Sequence, residues 1–404
     1  MNRFKRTMIG LGVAAALSLS TAQAQVSDGI IKIGVLSDMS SLYTDLAGAG
    51  SVVAVKLAVE DSGIEKRGYK VEVVSADHQN KADIGSAVAS KWYDAEKVDV
   101  IVDTPNSGVA LAVSGITKDK GKAFLASGPG TSDLTGKSCS PNTVHWAYDT
   151  WMLANGTGTA ITKAGGDTWF FITADYAFGQ ALERDTTAAV TKNGGKVIGG
   201  VKAPINNQDF SSFLLQAQSS KAKIIGLANA GGDTTNSIKQ AAEFGIVKGG
   251  QKLAGLLVFL TDIHSLGLQT AQGLTFTETF YWDQNDASRA FSKRFAALDK
   301  GIHPTMVHAG VYSSVLHYLK AVEALKSDDG TKVVAKMKEM ATDDPLFGKG
   351  TIRADGRKIH PAFLVQVKTP AESKYPWDYY KIVATIPADQ AFRPMADGGC
   401  SLVK

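Results

Sequence analysis

Two turns made of small and polar residues follow two neighbouring predicted strands. The turn at 103–107 follows a strand at Val98–Val102, and the turn at 127–132 follows a strand at Lys122–Ala126. In an open α/β sheet, ligands bind outside the carboxyl ends of the strands, where small residues admit close backbone approach and helix N-termini favour anions. The two turns therefore predict half of a binding site for a small solute that carries a carboxylate group.

The sequence contains no complete form of the catalytic and cofactor-binding motifs compared with it. The seven histidines form no His-Glu-x-x-His zinc motif, and no Gly-x-Ser-x-Gly nucleophile elbow occurs. Between Gly130 and Gly136 lie five residues where a phosphate-binding loop needs four. Val53 stands where the third glycine of a dinucleotide fingerprint belongs. The sequence therefore predicts binding without catalysis, and it predicts neither a metal nor a cofactor.

The N-terminus is typical of a secretory signal peptide. Basic residues within 3–6 precede an apolar run at Met8–Leu19, and Ala22–Ala24 supplies an A-x-A cleavage site. A run this short cannot span a bilayer, which needs about 20 apolar residues. Removal of 1–24 leaves nearly equal numbers of basic and acidic side chains, which argues against a nucleic-acid partner. We expect an exported protein.

From residue 30 onward, short β-branched segments alternate with amphipathic ones, which predicts βαβ units and parallel sheets. Strands are expected at Ile31–Ser37, Lys70–Ala76, Val98–Val102, Lys122–Ala126, Thr168–Thr173, Lys196–Val201, Lys223–Ala228, Leu253–Phe259 and Leu274–Phe280. Long helices at Ala287–Lys300 and Thr305–Lys326 and an antiparallel pair at Ala362–Lys368 and Tyr379–Ile386 follow. Because similar series of strand–helix units fall in 30–147 and 168–260, we expect two lobes of like architecture.

Cys139 and Cys400 are the two cysteines of the chain. In an exported protein an even number of cysteines usually indicates disulfides. This pair would tie the C-terminal tail to the loop after Thr135. Two free, buried thiols are the alternative.

Several stretches together resemble the type I periplasmic solute-binding proteins of ABC transporters, and among these the leucine/isoleucine/valine-binding family. They are IKIGVLSDMSSLYTDLAGAG at 31–50, VIVDTPNSG at 100–108, FLASGPGTSDLTG at 124–136, FFITADYAFGQAL at 170–182, IIGLANAGGDTTNSIKQAAEFG at 224–245 and GLTFTETFYW at 273–282. The resemblance implies an α/β fold of two Rossmann-like lobes with parallel central sheets, joined by a three-segment hinge. It also implies a monomer in the periplasm that passes its solute to an inner-membrane ABC permease.

The resemblance divides the chain into parts. Lobe 1 is expected at 25–146 plus 281–355, lobe 2 at 147–280 plus 356–391, and a tail at 392–404 that the disulfide ties to lobe 1. The same fold also serves in ligand-sensing receptor modules that dock on a membrane signalling partner. That use is the alternative function.

Ligand contacts follow from the resemblance by matched position. On lobe 1 an aromatic lid, small polar groups and backbone N–H groups fall on Tyr43, Asn106, Ser107, Gly128, Pro129, Gly130 and Thr131. On lobe 2 a covering aromatic pair, a second turn and a candidate amine partner fall on Tyr176, Phe178, Asn229, Ala230 and Asp262. Two roles stay open for Asp103, which could cap the following helix or hold a hydroxyl group.

Two departures from the family pattern leave the ligand class open. Pro129 and Gly130 stand where amino-acid binders of the family carry an Ala-Thr pair, and Asp262 lies a few residues late for an amine partner. Further aromatic residues that suit a flat or apolar ligand are Tyr148 and Phe259. Tyr281 and Trp282 fall at the expected lobe crossing, where we expect hinge packing, with ligand contact as the alternative. The solute is therefore expected to be either an amino acid or an aromatic or aliphatic acid.

Overall fold

The computed structural model describes residues 26–403. The signal peptide predicted at 1–24 lies outside the described residues. Within 26–403, no helix is both long enough and apolar enough to cross a membrane.

The described chain alternates strands and helices largely as the sequence predicts. The strands are β1 (Ile30–Ser37), β2 (Lys70–Asp77), β3 (Val100–Asp103), β4 (Ala123–Ala126), β5 (Thr143–His145), β6 (Thr168–Ala174), β7 (Lys196–Ala203), β8 (Ile224–Ala228), β9 (Lys252–Gly255), β10 (Thr275–Glu278), β11 (Thr342–Asp344), β12 (Gly348–Ile352), β13 (Lys358–Ile359), β14 (Ala362–Val367) and β15 (Tyr380–Ile386). The helices are α1 (Gly48–Ser62), α2 (Ala82–Asp94), α3 (Ser107–Asp119), α4 (Thr150–Leu153), α5 (Thr159–Lys163), α6 (Ala177–Lys192), α7 (Ser211–Ser219), α8 (Gly232–Glu243), α9 (Leu260–Leu266), α10 (Leu268–Ala271), α11 (Asp286–Leu298), α12 (Met306–Leu325), α13 (Gly330–Glu339) and α14 (Ala388–Ala391). A π-helical turn, Ala154–Gly158, joins α4 to α5, and a 3-10 turn, Ser132–Thr135, follows β4.

The sheet of lobe 1 has the strand order β2-β1-β3-β4-β5, and all its strands are parallel. Every residue of β3 and β4 is buried, as expected where helices cover both faces of a parallel sheet. Helix α12 packs along α1, where a Cβ on Gly50 would lie 2.5 Å from Nε2 of His308. Glycine at position 50 therefore permits this close approach of the two helices.

Lobe 2 contains a second parallel sheet of order β7-β6-β8-β9 and an antiparallel sheet of order β10-β14-β15. One hydrophobic cluster joins the two sheets, since Ile172 and Ile225 of the first share it with Phe276 and Val365 of the second. The predicted antiparallel pair near the end of the chain is confirmed as β14 and β15. Its strands complete lobe 2.

Three short segments connect the lobes. They are 146–149 between β5 and α4, 279–285 between β10 and α11, and 360–361 between β13 and β14. The first and third lie side by side, because Nε2 of His360 is 3.1 Å from the carbonyl oxygen of Trp146. The predicted α/β class, with two parallel-sheet lobes and a three-segment hinge, is confirmed.

Several parts of the chain differ from the sequence prediction, among them β5, α9, α10 and α14, which were not predicted. The strand expected at Leu253–Phe259 ends at Gly255, and 256–259 is a loop that leads into α9. This prediction is wrong because an apolar loop facing a cleft has the same residue pattern as a buried strand. Helix α13 and strands β11 to β13 were not predicted, since lysine and glycine interrupt their short apolar runs.

The predicted disulfide between Cys139 and Cys400 is confirmed, with the two Cα atoms 5.6 Å apart. It holds the C-terminal tail against the segment that follows β4. In the same contact, Nη2 of Arg393 donates to the Ser132 carbonyl oxygen at 3.0 Å. The tail is thus fixed both covalently and by a hydrogen bond.

Replacing Cys139 and Cys400 together by serine should lower the free energy of unfolding by about 2–4 kcal/mol, because the bond closes most of the chain into a loop and restricts the unfolded state. Urea unfolding measures the change. Wild-type protein unfolded with a reductant is the control and should lose the same amount. An unchanged urea midpoint in the double variant would contradict the stabilising role.

Candidate ligand-binding cleft

The turn after β3 is held in an unusual backbone conformation. Asp103 and Thr104 have φ angles of 78° and 60°, a region that costs non-glycine residues about 1–3 kcal/mol each. Asn106 then caps α3, because its Oδ1 accepts two N–H groups of the first helical turn at 2.9 and 3.1 Å. Ser107 Oγ accepts the Thr131 N–H at 3.2 Å and so joins the two predicted turns.

The turn Gly128–Thr131 is fixed through its carbonyl groups. The Tyr148 hydroxyl donates to the Gly128 carbonyl oxygen at 2.5 Å. The Pro129 carbonyl oxygen lies 2.7 Å from Nε2 of the buried His145. These two contacts hold the carbonyl groups of the turn in place.

Aromatic side chains of both lobes meet across the cleft. A Cβ on Gly130 would lie 2.7 Å from the ring of Phe178, so the missing side chain admits this ring. The hydroxyl oxygens of Tyr43 and Tyr176 are 2.5 Å apart. Lobe 1 and lobe 2 thus touch directly at the predicted site.

Tyr43 is positioned by a loop that one carboxylate organises. Asp38 Oδ2 accepts the Tyr43 N–H at 2.7 Å and Nδ2 of Asn80 at 2.6 Å. The other oxygen, Oδ1, accepts the Ser41 N–H at 2.9 Å. The loop that carries the lid residue is therefore ordered independently of lobe 2.

The cleft encloses a small, mostly apolar cavity. Nine residues line it: Tyr43, Leu46, Pro105, Tyr148, Tyr176, Phe178, Ala230, Leu257 and Phe259. Its volume is about 10 Å³, which is about the least that holds one water molecule. A larger solute therefore requires the lobes to move apart before it enters.

Four of the predicted site residues line this cavity, namely Tyr43, Tyr176, Phe178 and Ala230. Tyr148 and Phe259 belong to the wider aromatic set that the sequence indicated. Leu46, Pro105 and Leu257 were missed, because single aliphatic residues in loops carry no signal of a site. Leu257 lies in the loop that was predicted as strand.

Two predicted polar contacts have their side chains engaged elsewhere. Asn229 Oδ1 accepts the Thr234 hydroxyl at 2.7 Å, and its Nδ2 donates to Ser237 Oγ at 3.1 Å. Asp262 caps α9, because its Oδ2 accepts the Phe259 N–H at 2.9 Å. Burial raises the pKa of Asp262 to about 7.

Helix N-termini and carboxylates both lie near the cavity, since the charge of Asp233, in the first turn of α8, acts on Tyr43 and Tyr176, and that of Asp103 acts on Tyr148. Helices α3, α6 and α8 begin next to the lining residues Pro105, Phe178 and Ala230. Neither α6 nor α8 has a side-chain cap, so N–H groups of their first turns are free to meet an anion. None of the nine lining side chains carries a carboxylate. Among these residues an ammonium group finds no counter-ion.

Asp103 holds a hydroxyl group and does not cap the helix, which settles the two roles left open by the sequence. Its Oδ2 accepts the Ser37 hydroxyl at 2.6 Å. Its Oδ1 is buried without a hydrogen-bond partner among the described residues. Burial raises the pKa of this carboxyl group to about 7, although the Ser37 hydrogen bond opposes the shift.

The pKa of Asp103 predicts a pH dependence of stability. Because the folded pKa lies above the ordinary value of 3.8, the folded chain binds the proton more tightly, and this contribution is lost as pH rises from about 4 to about 7. Asp103→Asn should therefore gain stability relative to wild type between those pH values in urea unfolding. A stability difference between variant and wild type that is the same at both pH values would contradict the assignment.

Comparisons with known proteins place the chain in a family. A family model described as periplasmic binding protein matches residues 30–374. A periplasmic binding protein from Burkholderia mallei, solved by crystallography, is 52% identical, with 93% of this chain and 100% of that chain covered and a TM-score of 0.91. A branched chain amino acid ABC transporter periplasmic ligand-binding protein from Burkholderia xenovorans LB400 is 41% identical, with 93% and 100% covered and a TM-score of 0.82.

A more distant similarity concerns the fold alone. A solute binding protein of an ABC transporter from R. palustris, solved in complex with benzoate, is 22% identical, with 92% of this chain and 100% of that chain covered and a TM-score of 0.80.

The relatives are binding proteins, so the predictions of the family and of a binding function are confirmed. The chain belongs to the periplasmic binding protein family and, within it, to the branched-chain amino acid group of ABC transporters.

Proposed function

We propose that the chain is the substrate-binding component of an ABC importer and that it binds a small apolar or aromatic carboxylate without an α-amino group. The solute lies between the lobes, with its carboxylate at the helix N-termini and its body among the aromatic rings. One observation carries this choice of ligand: helix N-termini surround a cavity whose lining contains no carboxylate. An α-ammonium group would lose its hydration there and gain no charged partner among the lining side chains.

The aromatic lining of the site suits a small, flat ligand. Five aromatic rings come together there from both lobes, those of Tyr43, Tyr148, Tyr176, Phe178 and Phe259. Closure of the lobes buries the body of the solute on both sides, and a few polar groups then fix its orientation. A protein of the same fold was solved in complex with benzoate, which agrees with a flat acid as the ligand.

Export and delivery complete the proposal. The signal peptide at 1–24 directs the chain to the periplasm, where it acts as a monomer with lobe 1 at 25–146 plus 281–355, lobe 2 at 147–280 plus 356–391 and the tail at 392–404. The closed form is the shape that an inner-membrane permease recognises. A pull-down with membrane proteins tests this: capture of a permease supports import, and capture of a signalling kinase favours the sensor alternative.

Two pairs of ligands isolate the amino group. Leucine and 4-methylpentanoate differ only by that group, as do phenylalanine and 3-phenylpropanoate. In isothermal titration we expect the acid of each pair to bind at least tenfold more tightly than the amino acid, with benzoate as a third, flat acid. Tighter binding of leucine than of 4-methylpentanoate would overturn the choice of ligand.

A further inference from the structure

A buried carboxylate on α6 accepts hydrogen bonds from two hydroxyl groups that lie outside its own helix. Asp185 Oδ2 accepts the Ser132 hydroxyl at 2.7 Å and the Thr150 hydroxyl at 2.6 Å. Its Oδ1 accepts Nε of Arg184 at 2.9 Å. Asp185 is 8% exposed, so these contacts are shielded from solvent. Ser132 belongs to lobe 1, whereas Asp185 and Thr150 belong to lobe 2.

The same network ends on the turn that faces the cavity. The Thr150 N–H donates to the Gly130 carbonyl oxygen at 2.7 Å. The Ser132 N–H donates to Thr150 Oγ1 at 3.0 Å. A short chain of hydrogen bonds thus leads from the Asp185 carboxylate to the turn Gly128–Thr131.

Arg184 adds a second contact between the lobes. Its Nη2 donates to Ser132 Oγ at 2.8 Å, and its Nη1 is 3.0 Å from Asp133 Oδ1. The Ser132 hydroxyl therefore accepts from Arg184 and donates to Asp185, which fixes its orientation. Helix α6 carries this pair on its third turn and the cleft residue Phe178 on its first. The helix that supplies an aromatic wall of the cleft also holds the opposite turn.

We propose that Asp185 is a positioning residue of the binding site: through Ser132 and Thr150 it sets the place of the turn Gly128–Thr131 relative to the aromatic wall on α6. It does not touch the solute. The inference rests on the proposed function, since it names a residue that shapes that site. Loss of the carboxylate should loosen the turn and weaken binding without removing any direct contact.

The test compares Asp185→Asn with a matched variant on the same helix. Asparagine has nearly the same size as aspartate, but it replaces a charged acceptor by a neutral one. Hydrogen bonds to a charged acceptor are stronger than hydrogen bonds to a neutral acceptor. Glu183 Oε2 accepts the Thr173 hydroxyl at 2.7 Å entirely within lobe 2, so Glu183→Gln makes the same loss of charge in a pair within one lobe. Titration with 4-methylpentanoate and benzoate, and hydrogen exchange of segment 128–135 in protein without added solute, are measured for both variants.

We expect Asp185→Asn to raise the Kd at least tenfold and to speed hydrogen exchange of 128–135, while Glu183→Gln leaves both near wild type. Ser132→Ala should change both in the same direction by less, and it replaces Asp185→Asn if that variant does not fold. Equal behaviour of the Asp185 and Glu183 variants would overturn the inference. If the wild type binds none of the acids, the proposed function fails, and the exchange data alone still decide the role of Asp185.

Discussion

Gly231→Ala is expected to keep the lobes apart and to raise the Kd for the solute about a hundredfold, which corresponds to about 2.7 kcal/mol. A Cβ at this position would lie 2.6 Å from the carbonyl oxygen of Leu42 on the opposite lobe and 3.2 Å from the ring of Tyr43. The first contact is with backbone and cannot be relieved by a change of rotamer. Since the proposed site takes contacts from both lobes, a variant that cannot close binds with one lobe only.

The control for Gly231→Ala is a second glycine of positive φ that does not face the other lobe. Gly231 has a φ of 58°, and Gly245, at the other end of α8, has a φ of 66° with no atom within 4 Å of a Cβ. Gly245→Ala therefore adds left-handed strain without a contact between lobes, and it should keep the wild-type Kd. Titration and small-angle scattering with benzoate compare the two variants. A compact, tightly binding Gly231→Ala protein would contradict the close approach of the lobes.

Arg357→Met should lower the free energy of unfolding by about 3–5 kcal/mol, the range expected when one partner of a buried charged network is removed. Arg357 is fully buried at the hinge. Its guanidinium donates to the carbonyl oxygens of Trp146 at 2.6 Å and Tyr148 at 2.9 Å and lies 3.5 Å from Asp149 Oδ2. Methionine fills the space but removes the guanidinium donors, although the Trp146 carbonyl oxygen keeps its contact with Nε2 of His360.

A surface arginine supplies the control for Arg357. Arg289 pairs with Asp283 and Asp286, but its side chain is 45% exposed, so Arg289→Met should cost less than about 1 kcal/mol. Urea unfolding of both variants measures the difference. Similar losses for the two variants would show that the hinge does not depend on Arg357.

Much of the fold could be predicted because strand–helix alternation leaves a clear pattern. The segment Thr168–Thr173 is β-branched and aromatic, and it lies within β6 as expected. The loop 256–259 was misread because its apolar residues pack against the cleft, where they have the pattern of a strand. Helix α13 was missed because only three of its ten residues are valine or methionine among lysines.

The site could be predicted in part. Turn residues stand out in the sequence, and so do aromatic residues that follow predicted strands, such as Tyr43 and Tyr176. The structure brings these two tyrosines together. Leu257 and Asp185 do not stand out, since their positions at the cleft and between the lobes arise from contacts between distant segments. Asp262 met the chemical requirement for an amine partner, but its carboxylate caps a helix, which local spacing did not reveal.

A crystal structure of the full mature chain grown with 4-methylpentanoate or benzoate tests the central claim most directly. We expect one molecule between the lobes. Its carboxylate should lie against the first turns of α6 and α8 or against the turns at 106–107 and 128–131. Its apolar body should contact Tyr43, Tyr176 and Phe178. A solute bound outside this cleft, or bound with its carboxylate away from those N–H groups, would contradict it.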